Sequence, residues 1–154
     1  RIAGRKIAIA LSGGVDSSTL AALYKKWADV LAITAITPFT SRRDVKNARR
    51  AAREVNIPHI TIEVNLPPEV FENTSERCYI CKKAIMKCIK EEARRRGFLV
   101  VADGTNLDDL NEQRPGLRAL KEEDIISPWA EAGFTKEEIR QIAKNFGLSF
   151  HNKP

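Results

Sequence analysis

The glycine-containing segment 12–18 has no lysine and no third glycine. A Walker-type phosphate loop ends in Gly-Lys followed by Ser or Thr, and a dinucleotide-binding fingerprint needs three spaced glycines. Neither pattern fits this segment, so both common kinds of nucleotide site are excluded here. Any anion site in the segment must rely on backbone amides and hydroxyls.

Long apolar runs are also missing, since none approaches the roughly 20 residues that span a bilayer. Only three cysteines occur among 154 residues, so we expect a hydrophobic core rather than disulfides to stabilise the fold. A hydrophobic fraction of 43% and a charged fraction of 30% are ordinary for a globular protein. The sequence predicts one domain over residues 1–154, located in the cytoplasm and without a membrane partner.

Acidic residues are in the minority, and the formal net charge is +6. Much of the excess lies in two clusters: Arg42, Arg43, Lys46, Arg49, Arg50 and Arg53, and Arg94, Arg95 and Arg96. Aromatic residues make up only 6% of the chain, and none is interleaved with these clusters as a stacking platform for RNA requires. The pattern favours solvated helix faces, and tRNA is left open as a partner.

Apolar segments typical of strands alternate with helical patterns along the chain. The predicted strands are 6–11, 30–37, 59–64, 98–102 and a short 125–127, and the predicted helices are 17–27, 41–55, a long one within 74–96, and 136–146. Thr135 and Glu138 predict a capping box at the start of the last helix, and Gly147 predicts its end. The alternation predicts an α/β fold, a single doubly wound parallel sheet of about five strands with helices on both faces.

The segment 12–18 lies between the first predicted strand and the first predicted helix. Glycines let the backbone approach a ligand closely, and amides at a helix start favour an anion. Serine hydroxyls add donors, and Asp16 is a natural ligand for Mg²⁺ bound to phosphate. We therefore predict a phosphate site rather than a serine-capped turn. Its residues are Ser12, Gly13, Gly14, Val15, Asp16, Ser17 and Ser18.

Other site residues should follow the other strands, because ligands of open α/β sheets bind beyond the carboxyl ends of the strands. Thr37 lies at the end of the second predicted strand and begins a segment whose main-chain groups can hold an adenine edge. Asp103, Gly104, Thr105 and Asn106 follow the fourth strand and are rich in side-chain acceptors. An Asx-type turn that caps a helix is the alternative interpretation of this segment.

The string Ser12-Gly13-Gly14-Val15-Asp16-Ser17 resembles the PP-loop of the ATP pyrophosphatases, whose pattern is Ser-Gly-Gly-x-Asp-Ser. The resemblance implies an enzyme that cleaves ATP between the α- and β-phosphates and activates a substrate oxygen as an adenylate. It implies ATP and Mg²⁺ as the cofactors, with Asp16 near the metal, and Asp16 and Ser17 as the catalytic residues. Two alternatives stay open, a tRNA-modifying thiolase or amidating enzyme of the same superfamily and a nucleotide-binding module without catalysis.

Three further stretches resemble the nucleotide-binding half of the LarE-type, ATP-dependent sacrificial sulfur transferases. They are Arg77-Cys78-Tyr79-Ile80-Cys81-Lys82, the stretch from Val101 to Asp109 followed by Arg114-Pro115-Gly116, and Ser127-Pro128 with the helix after it, as far as Lys153-Pro154. The resemblance implies adenylation of a carboxylate of a pyridinium dicarboxylate mononucleotide and its conversion to a thiocarboxylate. It assigns substrate binding to Asp103, Asp108 and Arg114.

The chain departs from this family after Pro154, where members carry a further region with a sulfur-donating cysteine. The departure leaves three alternatives: a fragment, a partner chain or second copy that supplies the sulfur, or another sulfur source.

Three interpretations remain for Cys78, Cys81 and Cys88, which could share a face of one helix. They are small apolar packing residues, a redox or persulfide-carrying pair, or metal ligands. We expect neither zinc nor an Fe–S cluster, because three thiolates need a fourth ligand and both histidines are remote in sequence.

Overall fold

The computed structural model describes residues 5–72, 76–111 and 114–152, and four parallel strands form its sheet. They are β1 (Lys6–Ala10), β2 (Asp29–Ile36), β3 (His59–Glu63) and β4 (Val100–Ala102). Their spatial order is β3-β2-β1-β4, so β1 lies between β2 and β4. The predicted parallel sheet is confirmed.

The predicted strand 125–127 extends this sheet at a single position. Ile126 forms an isolated parallel bridge with Ala102. The Ile126 amide donates to the Val101 carbonyl at 3.0 Å, and the Asp103 amide donates to the Ile126 carbonyl at 3.0 Å. A fifth, very short parallel segment therefore pairs with the far edge of β4.

Helices connect the strands. They are α1 (Val15–Tyr24), α2 (Arg42–Val55), α3 (Arg77–Arg95), α4 (Arg114–Glu122), α5 (Pro128–Glu131) and α6 (Lys136–Asn145), with 3₁₀ turns at Pro68–Phe71, Asp108–Asn111 and Ser149–Asn152. The sequence did not predict α4, whose Arg-Pro-Gly start is typical of a turn. Proline is tolerated in the first turn of a helix, where its missing amide is not needed.

Local capping boxes begin two helices, and the one at the start of α6 was predicted. The hydroxyl of Ser41 accepts from the Asp44 amide and the Asp44 carboxylate accepts from the Ser41 amide, which completes the capping box of α2. Thr135 and Glu138 form the same box at the start of α6. Gly147 follows the end of α6 with a φ of 73°.

The two faces of the sheet bury different helices. Ile7 and Ile9 of β1 pack in one cluster with buried residues of α1, α2 and α6. Ala8, between them, packs in a second cluster with residues of α3 and α4. Because strand side chains alternate between faces, this division confirms helices on both faces of the sheet.

Strands β2 and β3 lie on one side of β1 in the sheet, and β4 lies on the other side. The direction in which strands are added therefore reverses at β1, and the switch point lies between β1 and β4. Such a switch point opens a crevice at the carboxyl ends of the strands, where ligands bind in open α/β sheets. Every helix within the described ranges is too short or too polar to span a bilayer.

Candidate functional site

The glycine turn after β1 needs glycine at its first position for two separate reasons. Gly13 has a φ of 90°, a conformation that side chains disfavour, and a Cβ there would lie 2.9 Å from the Ala48 amide nitrogen of α2. The next residue, Gly14, is the N-cap of α1, and it has no side chain that could accept a hydrogen bond from the first amides of the helix. The first amides of α1 are therefore left to bind an anion.

The serines of the turn differ in their surroundings. The Ser12 amide donates to Ser17 Oγ at 3.2 Å, and the two hydroxyls lie 3.3 Å apart. Both residues line the cavity described below. Val15 and Ser18 are fully buried and do not line that cavity, so their contact with ATP stays a prediction.

The loop after β4 packs directly on the first turn of α1. A Cβ at Gly104 would lie 2.6 Å from the Ser17 amide nitrogen, so only glycine permits this approach. Asp103 is buried beside it, and its carboxylate accepts from the hydroxyls of Ser127 at 2.7 Å and Thr105 at 2.8 Å. These bonds hold the loop in shape, and they engage the oxygens that the sequence assigned to substrate.

Asn106 connects this loop to the glycine turn. Its side chain is almost fully buried and donates to Asp16 Oδ2 at 3.2 Å, while its carbonyl accepts from the Asp109 amide at 3.0 Å. The Asp109 carboxylate in turn accepts from the Asn106 amide. The sequence placed Asn106 in the site, and the structure shows the partner that positions it.

Asp16 is held by three residues from distant parts of the chain. Its Oδ2 accepts from Lys136 Nζ at 2.9 Å as well as from Asn106, and its backbone carbonyl accepts from Trp129 Nε1 at 2.9 Å. Its other carboxylate oxygen, Oδ1, is buried and has no partner in the described part of the chain. Asp16 therefore keeps one oxygen for a ligand.

Burial raises the pKa of the Asp16 carboxyl above its ordinary value of 3.8, although Lys136 and Asn106 oppose this, and Asp109 adds to the rise. The folded protein thus binds the proton more tightly than the unfolded chain does. The resulting stability is fully present below pH 3.8 and is lost as the pH rises through the raised pKa. Ionisation of this carboxyl therefore costs more free energy in the folded protein than in the unfolded chain, and a bound cation would lower that cost.

The unpartnered Asp16 oxygen fits Mg²⁺ carried by a nucleotide. Mg²⁺ is usually held by one or two carboxylates together with phosphate oxygens and water. Within residues 5–72, 76–111 and 114–152, no group of three His, Cys, Asp or Glu side chains could hold a metal by itself. Asp16 would therefore bind the ion jointly with phosphate.

A cavity of about 480 Å³ opens between these segments. Its polar wall comes from the glycine turn and the loop after β4, and its apolar wall from β2 and α3. The lining residues that matter here are Ser12, Asp16, Ser17, Asp103, Gly104, Thr105 and Asp109 on the polar side, and Ile33, Ile85, Met86 and Ile89 on the apolar side. Such a cavity suits a ligand with a phosphate and an apolar ring.

Seven of the residues predicted to bind ATP or substrate do not line this cavity, namely Gly13, Gly14, Val15, Ser18, Thr37, Asn106 and Asp108. Thr37 is buried, and its hydroxyl accepts from the Phe39 amide and contacts Thr40, which does line the cavity. Asp108 is exposed and accepts from the Lys136 amide at the start of α6. The side chain of Arg114 and the pair 153–154 lie outside the described part of the chain.

All three cysteines lie on α3 as free thiols. Cys78 is exposed, and burial raises the pKa of both Cys81 and Cys88, with Cys78 adding to the rise at Cys81. Raised pKa values keep these two thiols protonated and poorly nucleophilic. The geometry favours packing residues for Cys81 and Cys88, and the sulfur-carrying interpretation stays a prediction.

Lys136 and Trp129 are the contacts that the sequence did not predict. Lys136 lies 120 positions from its partner Asp16, at the first turn of α6. Trp129 is buried in α5. The local signal at Lys136 was the capping box of Thr135 and Glu138. It indicates where a helix starts, but it does not indicate which residues that helix contacts.

The Ser-Gly-Gly-x-Asp-Ser pattern at positions 12–17 lies at the switch point of a doubly wound sheet, and sequence relatives place the chain among the PP-loop ATP pyrophosphatases. Over residues 5–152 the chain matches the model of a family of unknown function, DUF7411, and it belongs to that family. The resemblance to the PP-loop superfamily and to LarE-type proteins is confirmed by relatives of known name.

The chain is 38% identical to an uncharacterized protein of Methanocaldococcus jannaschii, over 97% of this chain and 58% of that protein. It is 29% identical to the pyridinium-3,5-bisthiocarboxylic acid mononucleotide synthase of Lactiplantibacillus plantarum, over 97% of this chain and 56% of that protein. It is 27% identical to the tRNA-specific 2-thiouridylase of Clostridioides difficile, over 97% of this chain and 53% of that protein. The chain thus spans about half the length of the curated relatives it matches.

The NMN synthetase of Francisella tularensis has the same fold, with a TM-score of 0.74 at 18% identity, over 97% of this chain and 66% of that one. The comparison supports the doubly wound architecture described above. The relatives with a named activity are enzymes of the PP-loop superfamily.

Replacing Gly104 with alanine should disturb the site, because its Cβ would meet the Ser17 backbone. We expect a loss of about 1–3 kcal/mol in the free energy of unfolding, together with weaker Mg-ATP binding. Urea denaturation and calorimetric titration measure the two effects. Gly116→Ala in α4 is the matched control, since nothing lies within 4 Å of its Cβ position and alanine favours a helix. Equal behaviour of the two variants would contradict the packing argument.

Lys136→Met should raise the pKa of the Asp16 carboxyl further, because the ammonium group is a main cause that lowers it. Carbon-13 NMR of the aspartate carboxyl groups, titrated with pH, measures this shift. Lys144→Met, in the exposed last turn of the same helix, controls for the loss of one surface charge. An Asp16 titration curve unchanged by Lys136→Met would show that the pair does not form in solution.

Proposed function

We propose that the protein binds Mg-ATP and uses it to adenylate a substrate carboxylate, with release of pyrophosphate, as a step toward sulfur transfer. One observation carries this proposal. Gly104 brings the loop after β4 onto the first turn of α1, so Ser12, Asp16 and Ser17 of the glycine turn share one cavity with Gly104 and Thr105.

The geometry suits the departing pyrophosphate. Amides at the start of α1, with the Ser12 and Ser17 hydroxyls, can donate to the β- and γ-phosphates. Asp16 Oδ1 would hold Mg²⁺, which neutralises charge on the phosphates when bound. Lys136, at 2.9 Å from the other Asp16 oxygen, keeps that carboxylate oriented. The apolar side of the cavity, with Ile85 and Met86, can take the adenine ring.

The reaction converts a carboxylate, which is a poor electrophile, into an acyl adenylate, which is a good one. A carboxylate oxygen attacks the α-phosphorus, the bond from that phosphorus to the bridging oxygen of the β-phosphate breaks, and pyrophosphate leaves. A donor thiolate then attacks the carbonyl carbon of the acyl adenylate, the carbon–sulfur bond of a thioester forms, the bond from that carbon to the AMP oxygen breaks, and AMP leaves with the electron pair. The sulfur step is proposed by analogy with the Lactiplantibacillus relative, named as a synthase of a bisthiocarboxylic acid.

Pyrophosphate and AMP should accumulate when the protein is incubated with Mg-ATP and a dicarboxylate acceptor. Asp16→Asn should lower this release at least about a hundredfold, because the site loses the charge that holds the metal. Coupled pyrophosphate detection and nucleotide chromatography measure the products. Asp29→Asn, an exposed aspartate at the start of β2, is the control. Release of ADP and phosphate instead would contradict the proposal.

A second candidate function is thiolation of an RNA acceptor. Six basic residues of α2 fall on the exposed side, opposite the buried alanines Ala48, Ala51 and Ala52. None of the six is in an ion pair between described residues, whereas Arg95, Arg96 and Arg118 are all paired. The six are Arg42, Arg43, Lys46, Arg49, Arg50 and Arg53. The Clostridioides difficile relative, named as acting on tRNA, adds support.

If RNA docks on α2, replacing Arg42, Arg49 and Arg50 with glutamine should weaken tRNA binding. The slope of log affinity against log salt should become shallower by about one for each residue lost. Filter binding across a salt series measures it. Replacing Arg95 and Arg96, which are already paired with Glu92, provides the control. If the slope of log affinity against log salt is unchanged in the α2 variant, RNA docking on α2 is contradicted and the small-molecule acceptor is the remaining candidate.

A further inference from the structure

Strand β3 is an open edge of the sheet. It pairs with β2 alone, and no further strand of the described ranges lies beyond it. The opposite edge is shorter, since β4 has three residues and already pairs with Ile126. Proteins usually protect an open edge with lysine, proline, a bulge or a very short strand. The five residues of β3, His-Ile-Thr-Ile-Glu, include no lysine or proline and pair with β2 without a bulge, so this edge is available to another strand.

The register with β2 shows which backbone groups of β3 point outward. At the start of the pairing, the Ala32 amide donates to the Pro58 carbonyl at 2.9 Å. In a parallel ladder, the residues that bond to one neighbour alternate along the strand, so the even-numbered residues of β3 bond to β2. The amides and carbonyls of the odd-numbered residues therefore point away from β2, and the described part of the chain gives them no backbone partner. These residues are His59, Thr61 and Glu63.

The three outward residues are arranged symmetrically about Thr61. If two β3 strands pair antiparallel about this residue, Thr61 lies opposite Thr61 of the second copy, and His59 lies opposite Glu63. Hydrogen-bonded positions alternate along an antiparallel ladder, so every outward amide and carbonyl of the three residues is then paired. Any other register leaves some of these groups without a partner. The edge is thus complementary to itself in one register.

The side chains also complement each other in this register. Ile60 and Ile62 pack on the side of the sheet that α3 covers, and each lies opposite the other across the pair. On the α2 side, burial lowers the pKa of His59, and the neighbouring Arg49 guanidinium lowers it further. No ion pair between described residues involves Arg49. The Glu63 carboxylate of the second copy would supply the missing negative charge there, and opposite charges across two strands stabilise the pairing.

We propose that the β3 edge binds a second copy of this chain, through antiparallel pairing of the two β3 strands centred on Thr61. The pairing joins the two sheets into one, and a two-fold axis places both α2 helices on the same side of it. A strand of five residues buries little surface compared with the roughly 1,200–2,000 Å² of a stable interface. The dimer therefore forms and dissociates as the protein concentration changes. This inference is independent of the proposed reaction.

Sedimentation equilibrium over a concentration series, from micromolar to millimolar, measures the association. Thr61→Pro removes an outward amide and none of the amides that bond to β2, so it should weaken dimerisation at least about tenfold. Thr61→Val is the matched control, because it keeps this amide and a β-branched side chain, and it should dimerise as the unchanged protein does. Circular dichroism and urea denaturation show that each variant is folded.

Glu63→Lys is a second variant, which leaves every backbone hydrogen bond possible. It brings a positive charge toward His59 and Arg49 of the other copy, so it should weaken dimerisation about threefold or more. Glu91→Lys makes the same charge change at an exposed position of α3, and it should leave the association unchanged. If Thr61→Pro does not fold, the comparison of these two glutamate variants decides.

Amide hydrogen exchange tests the register. The Thr61 amide should become protected as the protein concentration rises, whereas the Ile62 amide, which faces β2, should be protected at every concentration. A chain that stays monomeric up to millimolar concentration would overturn the proposal. A dimer that survives both Thr61→Pro and Glu63→Lys would also overturn it, because that dimer uses another surface. The same holds for Thr61 protection that does not change with concentration.

Discussion

The packing of the loop after β4 against the first turn of α1 is the constraint on which the site depends. Gly104 lies so close to the Ser17 backbone that a methyl group would reach within 2.6 Å of its amide nitrogen. Gly13 makes a similar approach to α2 on the other side of the turn. The glycine turn is therefore packed tightly between α2 on one side and the loop after β4 on the other. Amides that bind an anion must be held rigidly before the ligand arrives, and this packing provides that.

Asp16 shows how the rest of the chain serves this turn. Its backbone is held by Trp129 of α5, and its carboxylate by Asn106 of the loop after β4 and by Lys136 of α6. Burial nonetheless raises its pKa, so the carboxylate is ionised at a free-energy cost that a bound cation reduces. The result is a residue positioned by three distant segments and left with one free oxygen. That combination is expected of a carboxylate that binds a metal ion together with a nucleotide, and not of a carboxylate that only caps a helix.

The local parts of this arrangement could be predicted from the sequence, and the long-range parts could not. The glycine turn, the capping boxes of α2 and α6 and the polar segment after β4 are each encoded by neighbouring residues. The role of Lys136 depends on α6 packing against α1, which no local pattern states. Asp103 lines the cavity, and its role toward substrate stays a prediction, whereas its hydrogen bonds from Ser127 and Thr105 show a structural role that no local pattern indicated. Helix α4 was missed because its Pro-Gly start resembles a turn.

The most direct measurement of the central claim is a crystal structure of the protein with Mg²⁺ and α,β-methylene-ATP. The account predicts the β- and γ-phosphates within hydrogen-bond distance of the first amides of α1, and the metal on Asp16. It also predicts the adenine ring against Ile85 and Met86, with the α-phosphate open toward the mouth of the cavity. A triphosphate bound away from the glycine turn, or a metal without contact to Asp16, would contradict it.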